Sequence, residues 1–419
     1  MYALVSELYP ICRSITGDGV RDTLRRIGAH VPLAITEVPS GTQVFDWTIP
    51  REWNIRDAFI KNSRGERIVD FTRCNLHVLN YSTPIHARLS LQELRPHLFA
   101  VEQHPTWIPY RTSYYAENWG FCISHEQLQS LADDEYEVCI DSSLSEGSLT
   151  YGEFYQPGET TDEVLVSCHV CHPSLCNDNL SGISVATFLA AEVARRPRRY
   201  SYRFLFIPGT IGAITWLARN QERASRIRHG LVLTCVGDPG AFHYKRSRQG
   251  DAEIDRVVEH VLRHEDVRHE VLDFSPYGYD ERQYCSPGFN LAVGCLMRSV
   301  WGQFPEYHTS ADNLDLVTPS ALAETLRTCT NILEVLEHNL TYESTNPFCE
   351  PALGKRGLYR TTGGNVANDN MARLWVLNLS DGKHSLLDIA ERSGLDFATV
   401  RAVAVELAEH GLLRAARQA

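Results

Sequence analysis

A chain of 419 residues, 43% hydrophobic and 22% charged, is long enough for two or three domains with full cores. Its net charge of −12 excludes a broad phosphate-binding surface, which needs clustered Lys and Arg. No apolar run reaches the roughly 20 residues that span a bilayer. The opening MYALVSELYPICRSITGDGV has neither the basic nor the apolar region of a secretory signal, so a cytoplasmic protein without membrane contact is expected. The 12 cysteines are scattered, as buried thiols of an intracellular protein are, and only Cys168, Cys171 and Cys176 cluster.

Residues 1–37 read as a helix followed by the short strand VPLAITEV. From Pro39 to about Leu131 aromatic residues, Pro and Thr dominate, and short alternating runs replace helical periodicity, which predicts a β-rich module. Leu89–Leu98 is a short helical patch inside it. From Tyr136 to about Tyr342 strands and helices alternate. Strands are predicted at 137–141, 163–168, 203–208, 230–236 and 291–297. Helices are predicted at Ser181–Arg196, Ile211–Arg223, Asp251–His264 and Pro319–His338. Near-continuous apolar strands between amphipathic helices indicate an α/β fold, a mostly parallel sheet with helices on both faces. The expected domains are therefore an α/β domain at 1–37 and 132–346, the inserted β-rich module at 38–131, a linker at 347–370 and a tail at 371–419.

The tail, SLLDIAERSGLDFATVRAVAVELAEHGLL, has the form helix, Ser-Gly turn, helix, with Leu386, Ile389 and Ala390 on one apolar face and Val400, Val403, Val405 and Leu407 on the next. This is the pattern of a winged helix-turn-helix. Six basic residues (Arg373, Lys383, Arg392, Arg401, Arg414 and Arg417) are matched by six acids from Asp381 to Glu409. Phosphate neutralisation would be poor, so a protein partner or self-association is expected there and DNA is not.

The chemistry concentrates in VLVSCHVCHPSLCNDNLSG, residues 164–182. An apolar strand delivers His169, Cys171 and His172 to its carboxyl end, and an NDN turn places Asp178 just before the next helix. Ligands and substrates of open α/β sheets gather at that end of the strands. Taken singly, His169 reads as a core histidine and Asp178 as a helix N-cap. Together they are the imidazole and carboxylate of a zinc site. Cys168 and Cys171 point to opposite faces of a strand, and no second Cys pair follows, so a redox or zinc-ribbon motif is disfavoured. A second cluster spans 275–313. It holds Asp280, Glu281 and Arg282 in YDERQYCSPGF, and His308 in PEYHTSADN, a loop that opens toward a helix.

The ordered set SCHVCHPSLCNDNLSG, PGTIG, YDERQYCSPGF and PEYHTSADN resembles the zinc aminopeptidase clan that includes the dizinc aminopeptidases and glutaminyl cyclase. It is most similar to an aminopeptidase-like branch with an inserted β-rich module and a C-terminal winged helix. The resemblance implies a zinc aminopeptidase-like fold, with metal ligands at His169, Asp178 and His308. Two departures bear on the metal count. The Glu-Glu pair of dizinc members, one residue general base and the other ligand, falls on Pro208-Gly209-Thr210-Ile211-Gly212. The clan's other aspartate falls near Thr234 or Cys235, with Asp238 three or four residues beyond. One Zn²⁺ is thus expected rather than two, with His172 as an additional ligand. Asp280 and Glu281 are the catalytic substitutes for the missing base, and Glu306 is a weaker one. The implied function is hydrolysis of an amide or peptide bond in a small peptide or aminoacyl amide. The module would wall the pocket with residues drawn from Trp47, Trp53, Tyr114, Tyr115 and Trp119. The rival readings are a metal-binding scaffold without hydrolysis and an acyl-transfer or cyclising enzyme.

Overall fold

The computed structural model describes residues 1–358 and 368–416, so residues 359–367 of the expected linker lie outside the described residues. The chain divides into two compact units. One comprises residues 1–255 and 268–327, the other residues 256–267 and 328–419. Among the described residues no helix is long and apolar enough to cross a membrane.

The first unit is built on an eight-stranded sheet. Its strands are β1 (Ala34–Pro39), β2 (Ser148–Gln156), β3 (Glu163–His169), β4 (Ser201–Ile207), β5 (Ile227–Leu233), β6 (Phe242–Lys245), β7 (His269–Leu272) and β8 (Val293–Met297). Their spatial order is β1-β2-β4-β3-β5-β8-β6-β7. The central run β4-β3-β5-β8 is parallel, while β1 and β2 run antiparallel to their neighbours at one edge and β6 opposes β8 near the other. Every residue of β3 and β4 is buried, which is why both read as unbroken apolar runs. The exceptions pay their own way by pairing: Arg203 reaches Glu163 at 2.7 and 2.8 Å and Glu153 at 2.6 Å. The order reverses at β3, whose neighbours are β4 and β5, and a crevice opens at the carboxyl end of a strand so placed. Helices Gly182–Val193 and Ile211–Arg219 follow β3 and β4, within the predicted spans.

Two expectations are corrected. The run EVCID was predicted as a strand of the parallel sheet. It is the centre of a longer strand, Glu135–Ser145, that lies inside a separate four-stranded antiparallel sheet between Glu52–Lys61 and Ile85–Ser90. Its alternation of buried Tyr136, Val138 and Ile140 with partly exposed residues suits a sheet covered on one face, not a parallel strand covered on both. The β-rich module's sheet therefore extends past residue 131. The sequence also passed over β2, whose Gly152 and polar residues obscure the pattern. A Cβ at Gly152 would lie 2.9 Å from the end of the Leu24 side chain, which packs closely over the strand there.

The tail folds as a winged helix. Helices Leu386–Ser393 and Phe397–Glu409 are joined through Gly394 in the left-handed region, φ 71°. Ser385 and Asp388 form a reciprocal capping box, and Asp396 caps the second helix. Strand Thr341–Ser344 lies between Asp381–Ser385 and Leu413–Ala415, and helix Asn368–Leu379 precedes them. Leu386, Ile389, Ala390, Val400, Val403 and Leu407 are buried as expected. Val405 is not: it is 43% exposed, on the opposite face of its helix. Substituting Val405 by Lys should change stability by no more than about 0.5 kcal/mol. Lys in place of the fully buried Val400 should cost several kcal/mol, about 3 or more, both read by chemical denaturation.

Candidate metal centre

The last residue of β3 is His169, and its side chain is 1% exposed. Seven residues on, the backbone folds through Cys176–Ser181, a distorted turn in which Asp178 (φ −109°, ψ 82°) and Asn179 (φ −144°, ψ 33°) leave helical geometry. The turn is held by acceptors from distant parts of the chain. Asp312 takes the N–H of Asn177 at 2.5 Å and that of Asp178 at 2.9 Å. Asn177 donates to Asp238 at 2.8 Å and accepts from the Gly237 N–H at 2.9 Å. Asn179 donates to the Leu233 carbonyl at 3.0 Å, at the end of β5. Asp238, the out-of-register acid of the sequence, is thus a brace for Asn177.

These restraints aim one carboxylate at three imidazoles. His169 Nε2 lies 2.8 Å from Asp178 Oδ1, His308 Nε2 lies 3.0 Å from Oδ2, and His172 Nε2 lies 3.9 Å from Oδ2. The ligand atoms of His169, His172 and Asp178 fall within 4.8 Å of one another. Arg13 sets the His172 loop. Its buried guanidinium donates to the carbonyls of His172 at 2.7 Å, Pro173 at 2.8 Å and Leu8 at 2.7 Å. Tyr110 takes the His308 carbonyl through its N–H at 2.7 Å, and its ring packs against those of His172 and His308 at 5.2 and 5.0 Å.

Two tyrosines complete the cluster. Tyr279 stacks on His169 at 4.5 Å and donates its hydroxyl to Asp178 Oδ2 at 2.7 Å. Tyr307 stacks on His308 at 3.9 Å, with its hydroxyl 2.9 Å from that of Tyr279. Burial alone would raise the Asp178 pKa. The fields of His172 and His169 and the hydrogen bonds from His169 and His308 outweigh it and hold the carboxyl well below the usual range. Burial pushes the His172 imidazole pKa well below its ordinary value, against the pull of Asp178.

The two carboxylates predicted as catalytic part company. Asp280 accepts the Thr210 N–H at 2.6 Å on Oδ1, at the start of helix Ile211–Arg219. Its Oδ2 is buried and has no hydrogen-bond partner among the described residues. Burial pushes its pKa up to about 6, against the pull of His169 and the Thr210 N–H. Thr210 itself sits at φ 63°, and the Gly209 N–H donates to Cys171 Sγ at 3.2 Å. The 208–212 loop therefore lies against Cys171 beside His169, with Asp280 bonded to it. Glu281 lies apart from the ligands. Its Oε1 is 2.7 Å from Lys245 Nζ, and both side chains are buried. Lys245 also donates to the carbonyls of Ser275 at 2.9 Å and Tyr277 at 2.8 Å, so this ion pair pins the loop that carries Tyr279 and Asp280.

Of the aromatics predicted to wall a pocket, Trp53 is core, with its indole donating to the Ser82 carbonyl at 2.8 Å, and Trp119 stacks on His97. Tyr114 reaches the Tyr110 hydroxyl at 2.7 Å, and Trp47 and Tyr115 are exposed. Sequence reasoning missed Tyr110, Tyr279, Tyr307, Arg13 and Asp312. Tyr279 and Tyr307 each precede a residue that was singled out, which is the signal that could have found them. Nothing local marks Arg13.

The donor set suits a metal ion. Nitrogen and oxygen ligands about 2.0–2.1 Å from a tetrahedral zinc lie about 3.3 Å from one another; His169 lies 2.8 Å from Asp178 Oδ1, and His308 and His172 lie 3.0 and 3.9 Å from Oδ2, while the ligand atoms that fall within 4.8 Å of one another are those of His169, His172 and Asp178. The parallel-centred α/β sheet with its flanking helices is an aminopeptidase-like fold. The fold bears this out. The structure of a zinc aminopeptidase from Bacillus subtilis superposes with a TM-score of 0.57 at 12% identity, over 80% of this chain and 93% of that one. The family model for a domain of unknown function, DUF4910, matches residues 2–339, and a winged helix-turn-helix model matches residues 340–415. The chain belongs to the DUF4910 family. A relative from Clostridium acetobutylicum, 53% identical over 416 residues (99% of this chain and 96% of that one), is called "Putative polysaccharide biosynthesis protein with aminopeptidase-like domain". A crystal structure of a "putative peptidase" from the same organism matches with a TM-score of 0.95 at 52% identity, over 99% of this chain and 95% of that one.

Replacing Lys245 by Met leaves Glu281 as an uncompensated buried charge and should cost about 3–5 kcal/mol in denaturant unfolding. The pair change Lys245→Met with Glu281→Leu should recover most of that loss.

Proposed function

We propose that this chain is a metal-dependent hydrolase of amide bonds, aminopeptidase-like in architecture, that works with a single zinc ion. The observation that carries the proposal is the convergence of His169, His172 and His308 on the buried Asp178 carboxylate at the end of β3. Zinc in such a site supplies Lewis acidity toward a carbonyl and acidity toward water. One ion is favoured because Asp238 is engaged with Asn177 and Asp312 with the 177–178 backbone, which leaves Asp280 as the nearby acid with an oxygen unpaired among the described residues.

The protein residues then divide the work. Asp178, His169, His308 and His172 hold the ion, while Tyr279 and Tyr307 orient the Asp178 carboxylate and the His308 ring. Asp280 is assigned the proton, because its Oδ2 is unpaired and its raised pKa suits transfer near neutrality. Glu281 is the weaker choice, since Lys245 occupies it. The name of the 53% identical relative extends the candidate substrates from small peptides and aminoacyl amides to amides met in polysaccharide biosynthesis. The scaffold reading draws on one observation, that Asp280 is only 1% exposed and so must reach water from within the site. For the winged helix, the balanced charge of residues 372–419 supports contact with a protein or a second copy of the chain over DNA.

Metal analysis of the purified chain should return one zinc per molecule, and Asp178→Ala or His308→Ala should abolish it. Zinc in both variants at the wild-type level would sink the site. Activity should rise with pH through about 6 as Asp280 loses its proton. Asp280→Asn should lower the rate by about 10²–10⁴-fold and erase that limb. Stability should move oppositely. Because the folded-state pKa of Asp280 lies above the value of 3.8 expected when unfolded, its contribution is lost as pH rises through about 6. Asp280→Asn should flatten that part of the stability curve.

A further inference from the structure

Within the second unit, a cavity of about 300 Å³ opens between residues 260–265, residues 331–335 and the start of helix Phe397–Glu409. Its apolar wall is Val261, Val335 and Phe397, all buried. That volume and wall suit a small organic molecule, and the polar groups beside them decide its chemistry. His260 is one such group. It is 2% exposed, and its Nε2 accepts the Phe397 N–H at 3.1 Å. Burial, and next the neighbouring His264 and Arg263, take its pKa down to about 4, so the ring is neutral at ordinary pH. A neutral imidazole that accepts at Nε2 carries its proton on Nδ1. That Nδ1 is buried and has no hydrogen-bond partner among the described residues. A ring in the cavity wall thus holds a buried N–H donor that lacks an acceptor.

Arg401 is the second group. Its half-buried side chain lines the same cavity and forms no ion pair or hydrogen bond among the described residues. The acids of the wall are engaged elsewhere. Both oxygens of Asp396 go to Thr399, Glu265 accepts from Thr328 and Asn331, and Glu334 lies 3.7 Å from His338 Nδ1. The start of helix Phe397–Glu409 adds partial positive charge of its own. A carboxylate on a small hydrocarbon body matches the donor, the cation and the apolar wall together. An amide carbonyl would satisfy His260 but leave Arg401 without a counter-charge, and a phosphate would leave the apolar wall bare.

We infer that this cavity binds a small carboxylic acid with an apolar body, its carboxylate held by the His260 Nδ1–H and the Arg401 guanidinium and its hydrocarbon part set against Val261, Val335 and Phe397. The bound acid would join the start of helix Phe397–Glu409 to the helix that carries His260. The site is independent of the hydrolase reading, because its residues belong to the second unit and the His169–Asp178–His308 cluster to the first.

The test is a ligand-observed NMR titration of the full chain, kept metal-free so that no ion at the other site can take up the acid. The probes are isocaproate and, separately, isocaproamide, with inorganic phosphate as competitor. Isocaproate should bind, isocaproamide should bind at least about tenfold more weakly, and phosphate should not displace the acid. Arg401→Gln, at a half-buried side chain, should weaken isocaproate about tenfold or more. His260→Gln, whose side chain can still accept the Phe397 N–H, should weaken it as well. Thermal melts check that both variants fold, and Arg401→Gln alone decides if His260→Gln does not. No binding of isocaproate, equal binding of acid and amide, displacement by phosphate, or binding that a folded variant leaves untouched would overturn the inference.

Discussion

A carboxylate with no exposed surface must be repaid in full by its neighbours, and Asp178 is such a group. His169, His308 and Tyr279 lie within hydrogen-bond distance of its two oxygens, and the N–H of its own residue is taken by Asp312. These four partners arrive on three segments. The β3 strand brings His169, the 275–281 loop brings Tyr279, and the 306–313 loop brings both His308 and Asp312. Losing any one leaves the others with an unpaired buried charge. The site and the local fold are therefore one cooperative object, and the same concentration of donors that stabilises the carboxylate is what a metal ion would use.

The 208–212 loop beside His169 carries no carboxylate of its own. Gly209 and Thr210 carry no charge, and the acid nearest to them comes from a different loop. Asp280 enters by bonding to the Thr210 N–H, where the start of a helix favours a negative group, yet burial still raises its pKa. The adjacent Glu281 is consumed by Lys245, which also gathers the Ser275 and Tyr277 carbonyls and lies over the Phe274 and Trp301 rings. Two neighbouring acids thus do opposite jobs. Glu281 anchors the loop through Lys245, and Asp280 holds the Thr210 N–H beside His169.

Much of this was legible in the residues. The unbroken apolar runs of β3 and β4, the polar burst after β3 and the helices that follow belong to patterns that burial on both faces imposes locally. The Ser-Gly turn of the winged helix reads directly because Gly394 must adopt a positive φ. Where pattern misled, tertiary surroundings were responsible. Glu135–Ser145 has the alternation of a half-buried strand, but nothing in the residues says which sheet it joins. Val405 falls in an apolar run on the helix yet faces solvent.

The sequence by itself determined the fold class and the strand that ends in His169, because burial on both faces and residue chemistry along one strand are local properties; His172, Asp178 and His308 joined His169 as one set of candidate ligands through the resemblance to the zinc aminopeptidase clan. Only the tertiary structure decided that Asp178 sits among three imidazoles, that Tyr279 and Tyr307 clamp the cluster, and that Asp280 stays unpaired while Glu281 is bound to Lys245. Those outcomes depend on which side chains meet across 100 or more residues of chain. A buried charge takes whichever partner the packing delivers, and no spacing rule encodes that choice.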